Sequence, residues 1–170
     1  MSQALSMYAP QPFYDLDINL TPARTDMVPL PNIPTLEQIR QLEDLLWQGP
    51  TLDVDEITTH HFSEGLYGRE IRIPAGTILT GKMHRQGQIN VLAQGDITVW
   101  TEQGMKRLQA PAVIVSGPGC KRVGYAHSDV VWITVLASEE TDLVRLEQQL
   151  IEPEPVRQIA GTRSITKEWT

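Results

Sequence analysis

The sequence contains a single cysteine, Cys120, among 170 residues. An intrachain disulfide framework and a zinc site made only of cysteines are therefore excluded. No segment approaches the roughly 20 apolar residues that a membrane-spanning helix needs. The first residues, Met1 to Pro12, have neither the basic start nor the apolar run of a secretory signal peptide. We therefore expect a cytoplasmic protein that is not secreted through a signal peptide and has no membrane partner.

Basic residues are also in the minority. The chain has 14 Lys and Arg against 21 Asp and Glu, which gives a formal net charge of −7. A charge of this sign argues against nonspecific nucleic-acid binding. The hydrophobic content of 41% is sufficient for one core, and the length suggests one domain with additional arms.

Prolines dominate the first 34 residues, where they interrupt every possible helix and favour extended backbone. We predict an extended arm over residues 1–34. Apolar side chains are nevertheless spread through it, and the aromatic residues Tyr8, Phe13 and Tyr14 are candidate assembly contacts. The sequence leaves two alternatives open: the arm packs on its own domain, or it lies on a neighbouring subunit or partner.

A helix is predicted to begin after Thr35, which can act as N-cap with Gln38 completing a capping box. Gly49-Pro50 ends it, and the predicted helix and its connector span residues 35–61. Its apolar residues recur at intervals of three and four, so they should cover one end of the domain or a sister subunit. Four of them are further candidate assembly contacts: Leu36, Ile39, Leu42 and Leu46.

From Phe62 the apolar period changes to two. Short alternating segments separated by Gly or Pro turns continue to Ala137, which predicts an antiparallel all-β barrel or sandwich over residues 62–137. A second amphipathic helix is predicted over 138–152, with Thr141 as its cap. Residues 153–170 form a polar tail.

Three segments of this region, Ile73–His84, Asn90–Gly95 and Pro111–Gly119, resemble the cupin superfamily. More narrowly, the run from His60 to Gly76, with Lys121–Ala126 and Asp142-Leu143, resembles cupin-like proteins of tailed bacteriophages. The resemblance implies an all-β fold, a cupin-type antiparallel β-barrel or jelly roll, carrying the arm and the two short helices. It also implies a viral origin, and hence the host cytoplasm or the virus particle as the location.

Enzymes of the cupin family bind a metal through two histidines and a glutamate of a first motif and a histidine of a second. On that resemblance His84 stands at the first ligand position, but Gln86 and Arg122 stand where further histidines belong. No Glu or Asp occurs between His84 and Gly95. A catalytic metal needs about three protein donors, and an arginine remains a cation. We therefore expect no metal, no cofactor and no catalytic residue.

Two other sets of reactive residues give little support for a metal site or a catalytic site. His60 and His61 are adjacent on an extended chain, so their side chains point to opposite faces and do not jointly hold a metal. We expect one against the barrel wall and the other in solvent. Cys120 has basic neighbours, but its catalytic use would need a base, and only His84 or His127 could serve. We expect a strand thiol without a catalytic role.

The remaining polar residues suit an anion. If six of these residues face the barrel mouth, they form a candidate ligand pocket that combines cations, amides and an aromatic ring. The six residues are His84, Gln86, Gln88, Arg122, Lys82 and Tyr125. The alternative is that the cations are solvated or pair with acidic residues of a neighbour.

Our main hypothesis from the sequence is a non-enzymatic, homo-oligomeric structural or accessory component of a phage particle, in contact with other virion proteins. The alternative is a protein that binds or sequesters a small anionic ligand, such as a nucleotide-type signal, in the barrel mouth. A metal-dependent cupin isomerase or oxygenase with unusual ligands is the third hypothesis.

Overall fold

The computed structural model describes residues 7–8, 34–101 and 104–154. These residues form two helices, α1 (Leu36–Leu46) and α2 (Leu143–Leu150). They also form ten strands: β1 (Met7–Tyr8), β2 (Thr58–Ser63), β3 (Leu66–Ile73), β4 (Ile78–Thr80), β5 (Gln88–Gln94), β6 (Asp96–Thr101), β7 (Gly104–Gln109), β8 (Ala112–Ser116), β9 (Val123–Ala126) and β10 (Val130–Ala137). None of the helices in this part of the chain is long and apolar enough to cross a membrane.

The strands form two five-stranded antiparallel sheets, ordered β1-β4-β9-β6-β7 and β2-β3-β10-β5-β8 among the described residues. From β3 to β10 successive strands lie in opposite sheets, except for the β6-β7 hairpin, and their order is that of a jelly roll. Strands β1 and β2 each extend one edge of a sheet. The predicted all-β, cupin-type barrel is therefore confirmed. The sheet begins at Thr58, four residues before the predicted boundary.

Alternate residues of the strands fill the space between the sheets. Ile71, Ile73, Leu92, Ile97 and Val130 are almost completely buried in the main core. A second, smaller cluster joins α2 to the barrel and contains Tyr67, Leu136, Leu146 and Leu150. This second cluster holds α2 over one end of the barrel.

Helix α1 begins with the predicted capping box. The Thr35 hydroxyl accepts a hydrogen bond from the Gln38 backbone N–H, and the Gln38 side chain accepts one from the Thr35 N–H. Two of the candidate assembly contacts, Ile39 and Leu46, are buried within the single chain, so they do not present a surface to a neighbour. Leu36 is exposed and Leu42 is partly buried.

One acidic residue of α1 is buried. Glu43 is only 4% exposed, and its carboxylate pairs with Lys121 at 2.7 Å. The periodicity of an amphipathic helix favours an apolar residue at a buried position. The acidic Glu43 is explained only by its partner Lys121, which is distant in the sequence.

Little of the predicted N-terminal arm can be compared with the structure. Met7 and Tyr8 pair with Leu79 and Ile78 of β4 in the same chain, which agrees with the alternative that the arm packs on its own domain. Phe13 and Tyr14 lie outside the described residues, as does the tail from residue 155.

The cap of α2 differs from the expectation by one residue. Asp142, not Thr141, is the N-cap, and its carboxylate accepts a hydrogen bond from the Arg145 N–H at 3.0 Å. Both residue types favour this position, so the sequence alone does not distinguish them.

Candidate functional site

A cavity of about 890 Å³ lies between α2 and the inner faces of β2, β3 and β10. The strands and the segment after β4 contribute most of its polar residues, and α2 contributes most of its apolar residues. The lining includes Asp55, Thr58, His60, Tyr67, Arg69, Lys82, His84, Thr134, Leu136, Leu143, Val144, Leu146, Glu147, Gln148, Leu150 and Ile151.

A row of polar residues crosses the sheet beneath this cavity. In the strand register His60 of β2 lies opposite Arg69 of β3, Arg69 opposite Thr134 of β10, and Thr134 opposite Asn90 of β5. Directly opposite residues point to the same face of a sheet. The row therefore places a histidine, an arginine, a threonine and an amide side by side on the inner face.

Most members of the row have hydrogen-bond partners. His60 Nδ1 lies 2.7 Å from the Tyr67 hydroxyl, and burial lowers the pKa of His60, so the ring is neutral near pH 7. The Asn90 carbonyl oxygen accepts from the Thr134 hydroxyl at 2.9 Å and from the Trp132 indole N–H at 3.2 Å.

Arg69 is the exception in the row. Its guanidinium makes neither a hydrogen bond nor an ion pair with any residue that the structure describes. Burial lowers its pKa, with Tyr67, Glu147 and Asp55 acting in the opposite direction. An arginine nevertheless stays charged near neutral pH, so the cavity wall contains a cation without a bound partner.

His84 lies close to this cation. Burial, followed by the positive charges of Arg69, Arg122 and Lys82, lowers the pKa of His84 to about 4. Its Nδ1 atom is buried without a hydrogen-bond partner in the described part of the chain. His84 is therefore a neutral ring in a positive field.

One carboxylate faces the cations from the helix. Glu147 of α2 forms an ion pair with Lys82, which lies after β4. The pair crosses the cavity between the barrel and α2, so it occupies the Lys82 ammonium and leaves the Arg69 guanidinium without a carboxylate in contact.

Only two of the six predicted pocket residues, Lys82 and His84, line the cavity. Arg122 acts on His84 electrostatically and donates a hydrogen bond to Ser116 Oγ. Gln88 is buried, and the Gln86 amide donates to the Ala137 carbonyl at 2.8 Å. Tyr125 lies apart from this group: it is exposed and packs edge-on against His127.

The residues missing from the sequence-based pocket are chiefly Arg69, Thr134 and Glu147. A signal for Arg69 exists, because alternation places it on the same face of β3 as Ile71 and Ile73. No comparable signal exists for Glu147, whose position depends on how α2 docks. His60 and His61 do point to opposite faces as expected, with His61 exposed and 3.3 Å from Glu70.

The donor set does not fit the metal that the cupin resemblance implies for enzymes. Within residues 7–8, 34–101 and 104–154, no three His, Cys, Asp or Glu side chains are grouped so that they could hold a metal ion. The surroundings of His84 are cationic, which disfavours a divalent ion. No catalytic step through a metal follows from this arrangement.

The fold and the cavity together define a cupin-type barrel whose cavity beneath α2 is lined by both cations and carboxylates. Similar solved structures include KdgF from Halomonas sp. (18% identity, 56% of this chain and 94% of that one, TM-score 0.45). A cupin-2 domain protein from Shewanella frigidimarina has 8% identity over 48% of this chain and 79% of its own, with TM-score 0.41. An acetylacetone dioxygenase from Acinetobacter johnsonii has 16% identity over 47% and 58%, also with TM-score 0.41.

At such identities the likeness concerns the fold alone. No family model matches the chain. No curated protein matches its sequence. The resemblance to phage proteins is tested by none of these comparisons and stays a prediction.

Proposed function

We propose that this protein binds a small anion in the cavity beneath α2, and that it acts by binding and not by turnover. The observation that carries the proposal is the Arg69 guanidinium, which lies in the cavity wall without a hydrogen-bond or ion-pair partner in the described chain. A partly buried cation without a partner is costly to a fold. A bound anion would remove that cost.

The surroundings of Arg69 suit an oxyanion. A guanidinium can donate two parallel hydrogen bonds to a carboxylate or phosphate. Its cross-strand neighbours His60 and Thr134 carry further polar atoms on the same inner face. The positive charges of Arg122 and Lys82 are close enough to act on His84, so they add to the attraction for an anion.

Calorimetric titration tests this proposal. Phosphate, adenosine monophosphate and a series of carboxylates would be added to the full chain, to Arg69→Gln and to Arg72→Gln. Arg72 is the matched control, because it lies on the same strand, faces outward and pairs with Glu70 at 2.7 Å. We expect the wild-type chain to bind an anion. The Arg69→Gln variant should lose this binding, and the Arg72→Gln variant should keep it. The proposal fails if no anion releases heat.

A second proposal is the structural role in an oligomeric phage particle. Among the described strands β8 pairs only with β5, so its other edge is open, and its outward side chains Val113 and Val115 are 67% and 76% exposed. An open apolar edge favours pairing with another strand. A second copy of β8 running antiparallel around a two-fold axis would match it.

Two measurements test the structural role. Light scattering of the full chain should give an oligomer that Val115→Lys dissociates, while Met105→Lys at the edge strand β7 leaves it intact. A monomeric wild type would contradict the self-pairing. Mass spectrometry of purified particles should detect the chain, and its absence would remove the virion role.

A further inference from the structure

The cavity contains two walls of opposite chemistry. Arg69, Lys82 and His84 lie on the barrel side, whereas α2 contributes Leu143 and Val144. These two apolar side chains are 46% and 52% exposed, although they line a cavity. They are therefore available to contact a ligand, unlike Leu146 and Leu150, which are already buried in the small core cluster.

The size of the cavity exceeds that needed by an inorganic anion. Its volume of about 890 Å³ falls within the range of sites for drug-sized molecules. Phosphate or acetate at Arg69 would leave most of this space, including the apolar wall, without a contact. A ligand that fills the site needs an apolar body as well as a charge.

The charges limit the ligand to one negative group. Arg69 is the cation of the lining that lacks an ion-pair partner among the described residues, since Glu147 occupies Lys82. The Asp55 and Glu147 carboxylates also line the cavity and would repel additional negative charges. A nucleoside polyphosphate would place two or more charges in this environment, whereas a carboxylate places one.

We propose that the ligand is an organic monocarboxylate with an extended apolar body, its carboxylate on Arg69 and its body against Leu143 and Val144. This inference rests on the proposed anion-binding function and names the class of anion. The carboxylate oxygens accept hydrogen bonds from the guanidinium. The hydrocarbon body packs against α2 and is thereby removed from water.

A chain-length series separates this inference from simple anion binding. Acetate, butanoate, hexanoate and octanoate, with phosphate and octanol, would be titrated into the full chain. We expect the affinity to rise roughly fourfold for each methylene that is fully buried, and octanol and phosphate to bind far more weakly than octanoate. Arg69→Gln should abolish octanoate binding, and Arg72→Gln should not.

A variant of the apolar wall tests the other half of the ligand. Val144→Ser should weaken the binding of octanoate more than that of butanoate. Met105→Ser, which changes an exposed apolar side chain of β7, should weaken neither. Thermal unfolding of each variant checks that it is folded.

The possible failures differ. If acetate or phosphate binds as tightly as octanoate and needs Arg69, the function stands and the ligand class is wrong. If octanoate binds equally well to Arg69→Gln, the binding is nonspecific adsorption and the inference is overturned. If no anion binds at all, the proposed function fails as well.

Discussion

Lys82 and Glu147 form an ion pair that joins the barrel to α2 across the cavity. The pair places a carboxylate of the protein where an anionic ligand would otherwise be attracted. Glu147 therefore competes with the ligand for the positive charges, and its field also acts on Arg69.

Neutralising this carboxylate should strengthen anion binding. Glu147→Gln releases the Lys82 ammonium and keeps the size of the side chain. Partly exposed ion pairs contribute up to about 1 kcal/mol, so we expect octanoate to bind up to about fivefold more tightly. Titration calorimetry at low and at moderate salt measures this change, which should shrink as salt screens the charges.

The control is Glu139→Gln, which removes an exposed carboxylate outside the cavity lining. It should leave the affinity unchanged. An equal gain in both variants would mean that overall charge, and not the pair with Lys82, governs binding.

His84 should make the protein sensitive to acid. Its pKa is about 4 in the folded chain, against an ordinary value of 6.5, so between these values the unfolded chain binds more protons than the folded one. Stability associated with the neutral ring is therefore present above about pH 6.5 and is lost as the pH falls towards 4. The shift corresponds to a loss of about 3 kcal/mol.

Urea unfolding between pH 7 and pH 4 measures this loss. His84→Gln should show a smaller fall in the free energy of unfolding than the wild type over that range. His61→Gln, which changes an exposed histidine, should follow the wild type. The explanation based on His84 is wrong if the free energies of unfolding of His84→Gln and His61→Gln fall by the same amount between pH 7 and pH 4.

The strand region was predictable because its physical signals are local. Alternation and the Gly and Pro turns predict the strand region over residues 62–137, and β6 and β8 lie within it. The cap at Thr35 is equally local. Cavity residues depend instead on which strands become neighbours: Arg69 meets His60 and Thr134 only through pairings with β2 and β10.

Helix docking explains the rest of the difference. Glu147 and Glu43 look like ordinary solvent-facing acids in an amphipathic helix, yet each meets a lysine distant in sequence. The spacing of apolar and polar residues along the sequence does not indicate such distant partners. The predicted pocket therefore shares Lys82 and His84 with the cavity lining and omits Arg69.

Removing one partner of the buried pair between Glu43 and Lys121 should destabilise the protein strongly. Their side chains are 6% and 4% exposed, and Lys121 also contacts Glu154. Lys121→Ala leaves the Glu43 carboxylate buried without this partner, which should lower the free energy of unfolding by about 3–5 kcal/mol. Urea denaturation measures the change.

A double replacement separates the pair from its surroundings. Lys121→Met combined with Glu43→Leu removes both charges and keeps the volume, so it should recover most of the lost stability. If the double variant is as unstable as Lys121→Ala, the pair itself is not the cause.

The turn between β5 and β6 depends on Gly95. Its φ is +94°, and a Cβ atom there would lie 2.3 Å from the Asp129 carbonyl oxygen. Gly119 has a similar φ of +76°, but a Cβ atom there would meet nothing within 4 Å. Gly119→Ala should therefore lower the free energy of unfolding by only about 1–2 kcal/mol, which is the cost of holding a residue with a Cβ atom in the left-handed backbone conformation. Gly95→Ala adds a collision with backbone and should destabilise the protein clearly more. Urea unfolding of the two variants compares them directly, and equal losses would show that the Asp129 segment can move away without cost.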